Sequence, residues 1–196
     1  MQNLDMAIKI LLQGGIVIFP TDTAFGIGCR LDDTTSIKRL FKIRKRPVTV
    51  ATPILVSSIS MAEKYFHTPL PYNVRHLMEI YWPGALTIIY KSKINKVPPL
   101  VRGGGKNLGV RMPNHEITLV LIRKVGLPIL GPSANFHGQD TPFKFEQIDQ
   151  KLVSLVDYVV EGDCQLQNVS TVIDCSVNPW KIIRQGAVEI KVNEYI

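Results

Sequence analysis

Residues 127–135 read LPILGPSAN, an apolar run that stops abruptly at Gly131-Pro132 and continues into a hydroxyl and an amide two residues apart. Four apolar residues bounded by breakers predict a short buried strand at 127–130. Ligands of α/β proteins commonly bind just beyond the ends of such strands. Ser133 and Asn135 therefore predict a place where the chain positions a small molecule, although a plain Asx or Ser/Thr turn fits this segment equally well.

The same alternation of apolar runs and breakers continues along the chain and predicts its other elements. Helical periodicity predicts α-helices near 4–12, 34–46, 72–81, 115–125 and 144–155, the first with Leu4, Ile8, Leu11 and Leu12 on its apolar face. Further buried strands are predicted at 16–19, 53–56, 85–90, 108–112, 157–160, 170–174 and 181–184. Because strands alternate with helices, we expect an α/β or α+β fold with one mixed twisted sheet. No long linker divides the chain, so residues 1–196 are predicted to form a single domain.

Composition narrows the class of protein. The 196 residues carry a net charge of +7, with a pI near 9.4, which favours an anionic partner: a nucleotide, a nucleic acid or a membrane surface. No stretch approaches the ~18–20 apolar residues of a membrane helix, and the N-terminus lacks a signal pattern. The widely spaced Cys29, Cys164 and Cys175 are predicted to be buried reduced thiols rather than metal ligands. We therefore expect a cytoplasmic protein with no membrane partner.

Two segments in the first quarter of the chain offer groups for an anion. In FPTDTAFGIGCR, 19–30, a predicted strand ends in Thr21, Asp22 and Thr23, although these residues also fit a simple turn. In KRLFKIRKRP, 38–47, six of the nine residues from 38 to 46 are Lys or Arg. Arg44 and Arg46 predict a phosphate clamp, or they complement the negative end of a helix that must finish before the proline.

Three later residues complete the candidate set. Arg111 alternates with apolar residues on a predicted buried strand, so it needs an internal carboxylate or a bound anion as its partner. Ser170 lies at the mouth of the predicted strand at 170–174, and Arg184 projects from the last one. A surface position would explain Arg184 equally well. The polar segment 136–143 is predicted to form a mobile loop over the site.

The motifs that the chain lacks also restrict its chemistry. It has no phosphate-binding GxxxxGK[ST] loop, no GxGxxG, no HExxH and no GxSxG elbow, and the spacing of its four histidines selects none as a base. We therefore predict no protein nucleophile, no catalytic acid or base and no metal held by side chains. A bound nucleotide would be held by scattered arginines and hydroxyls, which suit positioning and electrostatic stabilisation.

Six segments in chain order resemble the Sua5/YrdC/YciO family, whose better-known members are threonylcarbamoyl-AMP synthases. These segments are FPTDTAFGIGC (19–29), RKRP (44–47), WPGALT (82–87), VRMP (110–113), GPSAN (131–135) and STVID (170–174). The match covers most of the chain, and the WPG and PSAN segments favour the synthase branch over the YciO-like one. The chain resembles the short YrdC-like form without the further C-terminal domain of Sua5. The resemblance implies a YrdC-type twisted mixed sheet, with helices around a large concave, positively charged cavity.

The resemblance also implies a reaction and its binding residues. L-threonine, bicarbonate (or CO2) and ATP would give threonylcarbamoyl-AMP and pyrophosphate, for the t6A modification of tRNAs that read codons beginning with A. A downstream t6A transferase machinery and tRNA would be further partners, and Mg²⁺ would accompany the nucleotide. The implied ATP-binding residues are Arg44, Arg46, Ser133, Asn135 and Arg184. The implied threonine-binding residues are Thr23, Arg111 and Ser170.

One departure from the family pattern and two alternatives accompany this interpretation. The first residue of the family's basic pair is usually Lys, whereas here it is Arg44, and VTVA replaces a further lysine after Pro47. A double-stranded RNA or tRNA-binding module is an alternative on the strength of the positive charge. A related carbamoyl-adenylate-forming enzyme with another donor is a second alternative.

Overall fold

Short strands and helices alternate along the part of the chain that the computed structural model describes, residues 2–190. The helices in this range are α1 (Gln2–Leu12), α2 (Thr34–Ile43), α3 (Ile59–Glu63), α4 (Tyr72–Tyr81), α5 (Glu116–Val125) and α6 (Gln150–Val153), with a 3₁₀ turn at Phe145–Gln147. The strands are β1 (Val17–Phe19), β2 (Gly26–Gly28), β3 (Ile54–Leu55), β4 (Leu86–Lys91), β5 (Asn107–Arg111), β6 (Ile129–Leu130), β7 (Tyr158–Val159), β8 (Thr171–Asp174) and β9 (Lys181–Arg184).

The strands pair in two sets that meet along one seam. The smaller set has the order β2-β1-β7 and the larger has the order β6-β3-β5-β4-β8-β9, each mixing parallel and antiparallel pairs. Bridges join Gly26 to Ser133 and Arg30 to Ile129, so β2 runs antiparallel to β6 and the turn that follows it. Main-chain hydrogen bonds from Ile27 N to the Pro132 carbonyl and from Leu130 N to the Cys29 carbonyl, both 2.9 Å, close the seam. The described residues therefore form two mixed sheets linked along this seam, where the sequence predicts one mixed sheet.

The larger set buries one face in the hydrophobic core and turns residues of the other face towards a cavity. Val110, Ile88 and Ile173 lie opposite one another in register and belong to the main hydrophobic cluster, which includes apolar residues of α2 and α4. Side chains alternate between the two faces of a strand, so the neighbouring residues must face the other way. A second cluster packs α1 against α5 beneath β1.

Most predicted elements are confirmed, and helix capping explains where α2 begins. The Asp33 side chain accepts hydrogen bonds from the main-chain N–H groups of Thr35 and Ser36, each 3.0 Å, as expected of an N-cap residue. Helix α2 ends at Ile43, before Pro47. The thiols of Cys29, Cys164 and Cys175 are free and buried, and burial raises the pKa of the Cys164 thiol to about 11.

Two predictions about helices are wrong in detail. Residues 144–155 do not form one helix, because the Asp149 side chain accepts from Lys151 N at 2.8 Å and starts a new, short helix. Leu12 does not join the buried face of α1; its side chain is 47% exposed. Strand β2 and helix α3 are absent from the sequence predictions. Two of the three residues of β2 are glycines, which have low strand propensity.

No helix within the described range is both long enough and apolar enough to cross a bilayer. The cytoplasmic location itself stays a prediction.

Gly28 controls how closely β2 approaches β6, and its replacement tests the seam. A Cβ atom at this position would lie 2.0 Å from the Leu130 carbonyl oxygen, a backbone atom that cannot rotate away. We expect Gly28→Ala to lower the free energy of unfolding by about 1–3 kcal/mol, measured by urea denaturation. Gly105→Ala is the matched control, because a Cβ there meets its nearest atom at an ordinary 3.4 Å. Equal stability of the two variants would show that the seam tolerates a wider spacing.

Candidate functional site

A cavity of about 550 Å³ opens over the free face of the larger strand set. Its wall draws on every sequence segment that we singled out for chemistry, and seven of the eight predicted site residues line it: Thr23, Arg44, Arg46, Arg111, Ser133, Ser170 and Arg184. The eighth, Asn135, is 8% exposed and hydrogen-bonds to Ser133 and Arg44. Residues that lie up to 161 positions apart in the chain thus meet around one hollow.

The register of the larger strand set places the residues of the cavity floor. Ile88 on β4 pairs with Val110 on β5, so Thr87, the residue before Ile88, lies beside Arg111. Thr87 also pairs directly with Val172 on β8. The β8–β9 pairing shifts register between Val172 and Ile173. A bulge of this kind re-aims side chains. Ile183 and Arg184 both line the cavity although they are consecutive residues.

Arg111 makes the most buried polar contacts of the floor. Its guanidinium forms an ion pair with Asp22, and the two side chains are 7% and 5% exposed. Nη1 donates to Thr23 Oγ1 at 2.6 Å and Nε donates to the Gly84 carbonyl at 2.9 Å. Burial lowers the pKa of Arg111, and the Asp22 charge opposes that shift. The internal carboxylate that the sequence left open as a partner for Arg111 is therefore present.

Arg44 lies at the carboxyl end of α2 and fastens the GPSAN segment. Its Nε donates to the Asn135 carbonyl at 3.0 Å, and its Nη2 donates to Asn135 Oδ1 at 3.2 Å. The Ser133 hydroxyl donates to the same Oδ1 at 2.6 Å. Nη1 of Arg44 is buried and has no hydrogen-bond partner among residues 2–190. Burial, together with the nearby positive charge of Arg46, lowers the pKa of Arg44 to about 10.

Other cationic residues of segment 38–46 also contact groups within the protein. Arg46 donates through Nε to the Val50 carbonyl at 3.0 Å and through Nη2 to the Ala51 carbonyl, and burial lowers its pKa. Arg39 forms an ion pair with Asp157 on the other side of α2. Arg44 and Arg46 thus turn into the cavity, whereas Arg39 stabilises the fold. The phosphate-clamp interpretation of Arg44 and Arg46 is consistent with this placement but remains a prediction.

Arg184 and Ser170 form a third cluster at the far strands. Nε of Arg184 donates to the Ser170 carbonyl and Nη2 donates to Ser170 Oγ, each at 3.0 Å. Ser170 Oγ also lies 3.0 Å from Thr87 Oγ1. Arg184 is an exposed residue, but it lines the cavity and its partial burial lowers the pKa of its guanidinium. A chain of polar contacts therefore runs from Arg184 through Ser170 to Thr87, the neighbour of Arg111.

Sequence reasoning missed two polar residues that shape this site, Asp22 and Thr87. Asp22 is the countercharge of Arg111, and its place next to the predicted site residue Thr23 was the available signal. Thr87 lies within the WPGALT segment, where strand periodicity alone could not tell which face it occupies. His115, outside the cavity lining, is 8% exposed, with Nε2 3.1 Å from the Asp163 carbonyl and Nδ1 buried without a partner in the described range. Burial lowers the pKa of His115, which favours the neutral ring.

The cavity is not built to hold a metal ion by itself. Across residues 2–190 no cluster of three or more His, Cys, Asp or Glu side chains has the arrangement of a metal site. The described wall carries guanidinium and hydroxyl groups without a carboxylate. Mg²⁺ prefers carboxylates together with substrate phosphates. These residues therefore fit an anion better than a resident cation.

The buried ion pair gives a test of how the floor is held. In Asp22→Asn the Arg111 guanidinium loses its countercharge but stays buried, so we expect the free energy of unfolding to fall by about 3–5 kcal/mol. Asp32→Asn breaks the more exposed pair with Arg30 and should cost about 0–1 kcal/mol. Urea denaturation at neutral pH measures both. If the two variants are equally stable, the Asp22 charge does not hold Arg111 in place.

The matches to known proteins extend over most of the chain. Residues 9–186 match the family model Sua5/YciO/YrdC, which bears the description "Telomere recombination". The threonylcarbamoyl-AMP synthase of Bacillus subtilis (strain 168) is 33% identical over 187 residues, which are 95% of this chain and 54% of that protein. The chain spans about half the length of the first curated relatives that it matches.

Two solved structures extend the comparison to the fold. Pyrococcus abyssi Sua5 complexed with L-threonine superposes with a TM-score of 0.89 at 30% identity, covering 93% of this chain and 54% of that one. Escherichia coli YciO superposes with a TM-score of 0.87 at 25% identity, covering 100% of this chain and 93% of that one. Sequence and fold agree, and the chain belongs to the Sua5/YciO/YrdC family.

Proposed function

We propose that this chain is a threonylcarbamoyl-AMP synthase that uses L-threonine, bicarbonate or CO2, and ATP. The observation that carries the proposal is the meeting of Arg44, Arg46, Arg111 and Arg184 around one cavity. Its volume of about 550 Å³ falls within the usual range for small-molecule sites. The match to relatives named threonylcarbamoyl-AMP synthase, one of them solved with L-threonine, supports the choice of substrates.

The proposed reaction joins three substrates in two steps. The amine nitrogen of L-threonine attacks the carbon of CO2 and loses a proton to give a carbamate; from bicarbonate, the same step releases water. A carbamate oxygen then attacks the α-phosphorus of ATP. The bond between the α-phosphorus and its bridging oxygen breaks, and pyrophosphate leaves with the bond electrons. The products are threonylcarbamoyl-AMP and pyrophosphate.

In this reaction the protein positions the substrates and stabilises negative charge, and it supplies no nucleophile. Negative charge grows on the departing pyrophosphate, and preorganised cations stabilise it at no reorganisation cost. We assign Arg44, Arg46 and Arg184 to the phosphates, with Ser133 and Asn135 at the nucleotide side. Magnesium would arrive on the nucleotide, as part of the substrate.

The amino acid is assigned to the floor of the cavity. Arg111 would receive its carboxylate, and Thr23 and Ser170 would hydrogen-bond to its polar groups. In this assignment Arg111 keeps its ion pair with Asp22, and the second N–H group of Nη1 and of Nη2 would donate to the ligand. A carboxylate bound there would lie close to Thr87 and to the contact between Ser170 and Arg184.

The product would serve the t6A modification of tRNAs that read codons beginning with A, through a downstream transferase machinery. Direct binding of tRNA or other double-stranded RNA is the competing function. Because Arg39, Arg44 and Arg46 all make internal contacts, fewer of the basic residues at 38–46 remain for a duplex. A related carbamoyl adenylation of another amine is the remaining alternative.

A substrate-mix assay separates these functions. With ATP, L-threonine, bicarbonate and Mg²⁺, we expect pyrophosphate release that requires threonine, and an adduct with the mass of threonylcarbamoyl-AMP. Omitting each substrate in turn is the control, and replacing threonine with other amines tests the donor. Folded protein that releases no threonine-dependent pyrophosphate would falsify the proposal. Tight RNA binding that falls steeply with salt would then favour the RNA alternative.

Arg111→Lys tests whether Arg111 binds the carboxylate of threonine. We prefer it to Arg111→Ala, because alanine would leave Asp22 buried without a countercharge. Lysine keeps the charge but cannot reproduce the forked contacts to Thr23 and Gly84. We expect the KM for threonine to rise about 10- to 100-fold, with a smaller change in the KM for ATP. Arg123→Lys, on the exposed face of α5, is the matched control. An unchanged KM for threonine would show that Arg111 does not bind the threonine carboxylate.

A further inference from the structure

Two hydrogen bonds of Arg44 hold one loop of the cavity wall in place. One side chain spans from the end of α2 to the loop that follows β6. Two of its nitrogens hold a single residue, Asn135, through both the main-chain carbonyl and the side-chain amide oxygen. Arg44 is 3% exposed, so these bonds form away from water, where each bond is stronger.

Asn135 connects Arg44 to the rest of its loop through further hydrogen bonds. Its Oδ1 accepts from Arg44 Nη2 and from the Ser133 hydroxyl, which uses both lone pairs of that oxygen. Its Nδ2 donates to the Gln139 carbonyl at 2.6 Å. The main chain adds a bond of 2.8 Å from His137 N to the Arg44 carbonyl. Segment 133–139 is therefore tied at both ends to one guanidinium-centred network, which we name the Arg44 clasp.

One part of this network is incomplete. Nη1 of Arg44 is buried and has no acceptor within the described residues, although Arg44 lines the cavity. An unsatisfied buried donor on a charged group is costly to leave in that state. Because Nη1 is itself buried, the bonds of Nε and Nη2 to Asn135 must offset this cost to keep the guanidinium in place.

We propose that Arg44 is a positioning residue that holds segment 133–139 in the conformation that lines the cavity before any substrate binds. Arg44 thereby sets the place of Ser133 on the cavity wall. Asn135 anchors the loop in the same network, and these contacts also fix its proposed position beside the nucleotide. The link from this loop to nucleotide binding rests on the proposed function, whereas the hold on the loop does not.

The clasp depends on the guanidinium group of arginine and cannot be formed by lysine. A guanidinium offers five N–H groups in a planar fork, so it can bind two acceptors of Asn135 at once. An ammonium is a compact point charge that cannot reach both oxygens in the same planar geometry. Lys45 is the next residue in the chain, but its Nζ lies 5.3 Å from the centroid of the Phe136 ring, in a cation–π contact.

Hydrogen–deuterium exchange of the protein without substrates tests the clasp directly. We expect Arg44→Lys to speed exchange of the amides at 135–139 on the order of 10- to 100-fold, as expected for the loss of two hydrogen bonds from a charged donor. Arg46→Lys is the matched control, since Arg46 holds the carbonyls of Val50 and Ala51. It should speed exchange at 50–52 and leave 135–139 unchanged.

A second variant and a binding measurement complete the test. Asn135→Ala should also speed exchange at 135–139, and adding Arg44→Lys to it should add less than the single variants predict, because both break one network. Calorimetry with MgATP should show weaker binding by Arg44→Lys. Wild-type exchange in Arg44→Lys, or equal loosening by Arg46→Lys, overturns the proposal. Loosened exchange with no MgATP binding by any form, wild type included, upholds the clasp and instead refutes the proposed nucleotide substrate.

Discussion

The cost of burying guanidinium groups organises this molecule. Four arginines line one cavity. Arg44 and Arg111 are 3% and 6% exposed and must find acceptors for their N–H groups, since a buried charge without them is strongly destabilising, whereas Arg46 is half-buried and Arg184 is more exposed. Among the residues that the structure describes, Arg111 has a carboxylate partner, Asp22, and the other three donate to main-chain carbonyls, an amide oxygen and a hydroxyl. Neutral acceptors fix a cation in place without cancelling its charge. In the proposed function, this arrangement would leave positive charge for an anionic ligand while the side chains stay ordered.

The sequence predicted which residues surround this cavity better than it predicted the scaffold that brings them together. Polar and cationic residues at strand ends stand out because burial there requires a reason, so Arg111 and Ser170 could be identified without coordinates. Strand β2 could not be predicted, because its glycines, such as Gly28, carry no hydrophobic periodicity. The close approach of β6 is what requires glycine at position 28. The hydrogen bonds that divide residues 144–155 depend on Asp149, a capping residue that pattern counting placed inside a helix.

The hydrogen-bond or ion-pair partner of each site residue was the hardest property to predict from the sequence. The sequence required Arg111 to have a carboxylate or an anion as partner, but it could not choose, because 89 residues separate Asp22 from Arg111. It assigned Asn135 to the nucleotide, but it could not show that the amide oxygen of Asn135 accepts from Arg44 and Ser133. Side-chain chemistry is readable from one residue, whereas the identity of its partner is a property of the folded chain.

The contact between Ser170 and Arg184 connects the two halves of the proposed site. We assigned Ser170 to threonine and Arg184 to ATP, yet the two side chains are hydrogen-bonded at 3.0 Å. A reaction that joins a carbamate to an α-phosphate needs the amino acid and the nucleotide to meet at one point. Residues that serve different substrates should be in direct contact only there. The bulge in β9 that turns Arg184 towards Ser170 is therefore the feature that would bring the carbamate and the α-phosphate together.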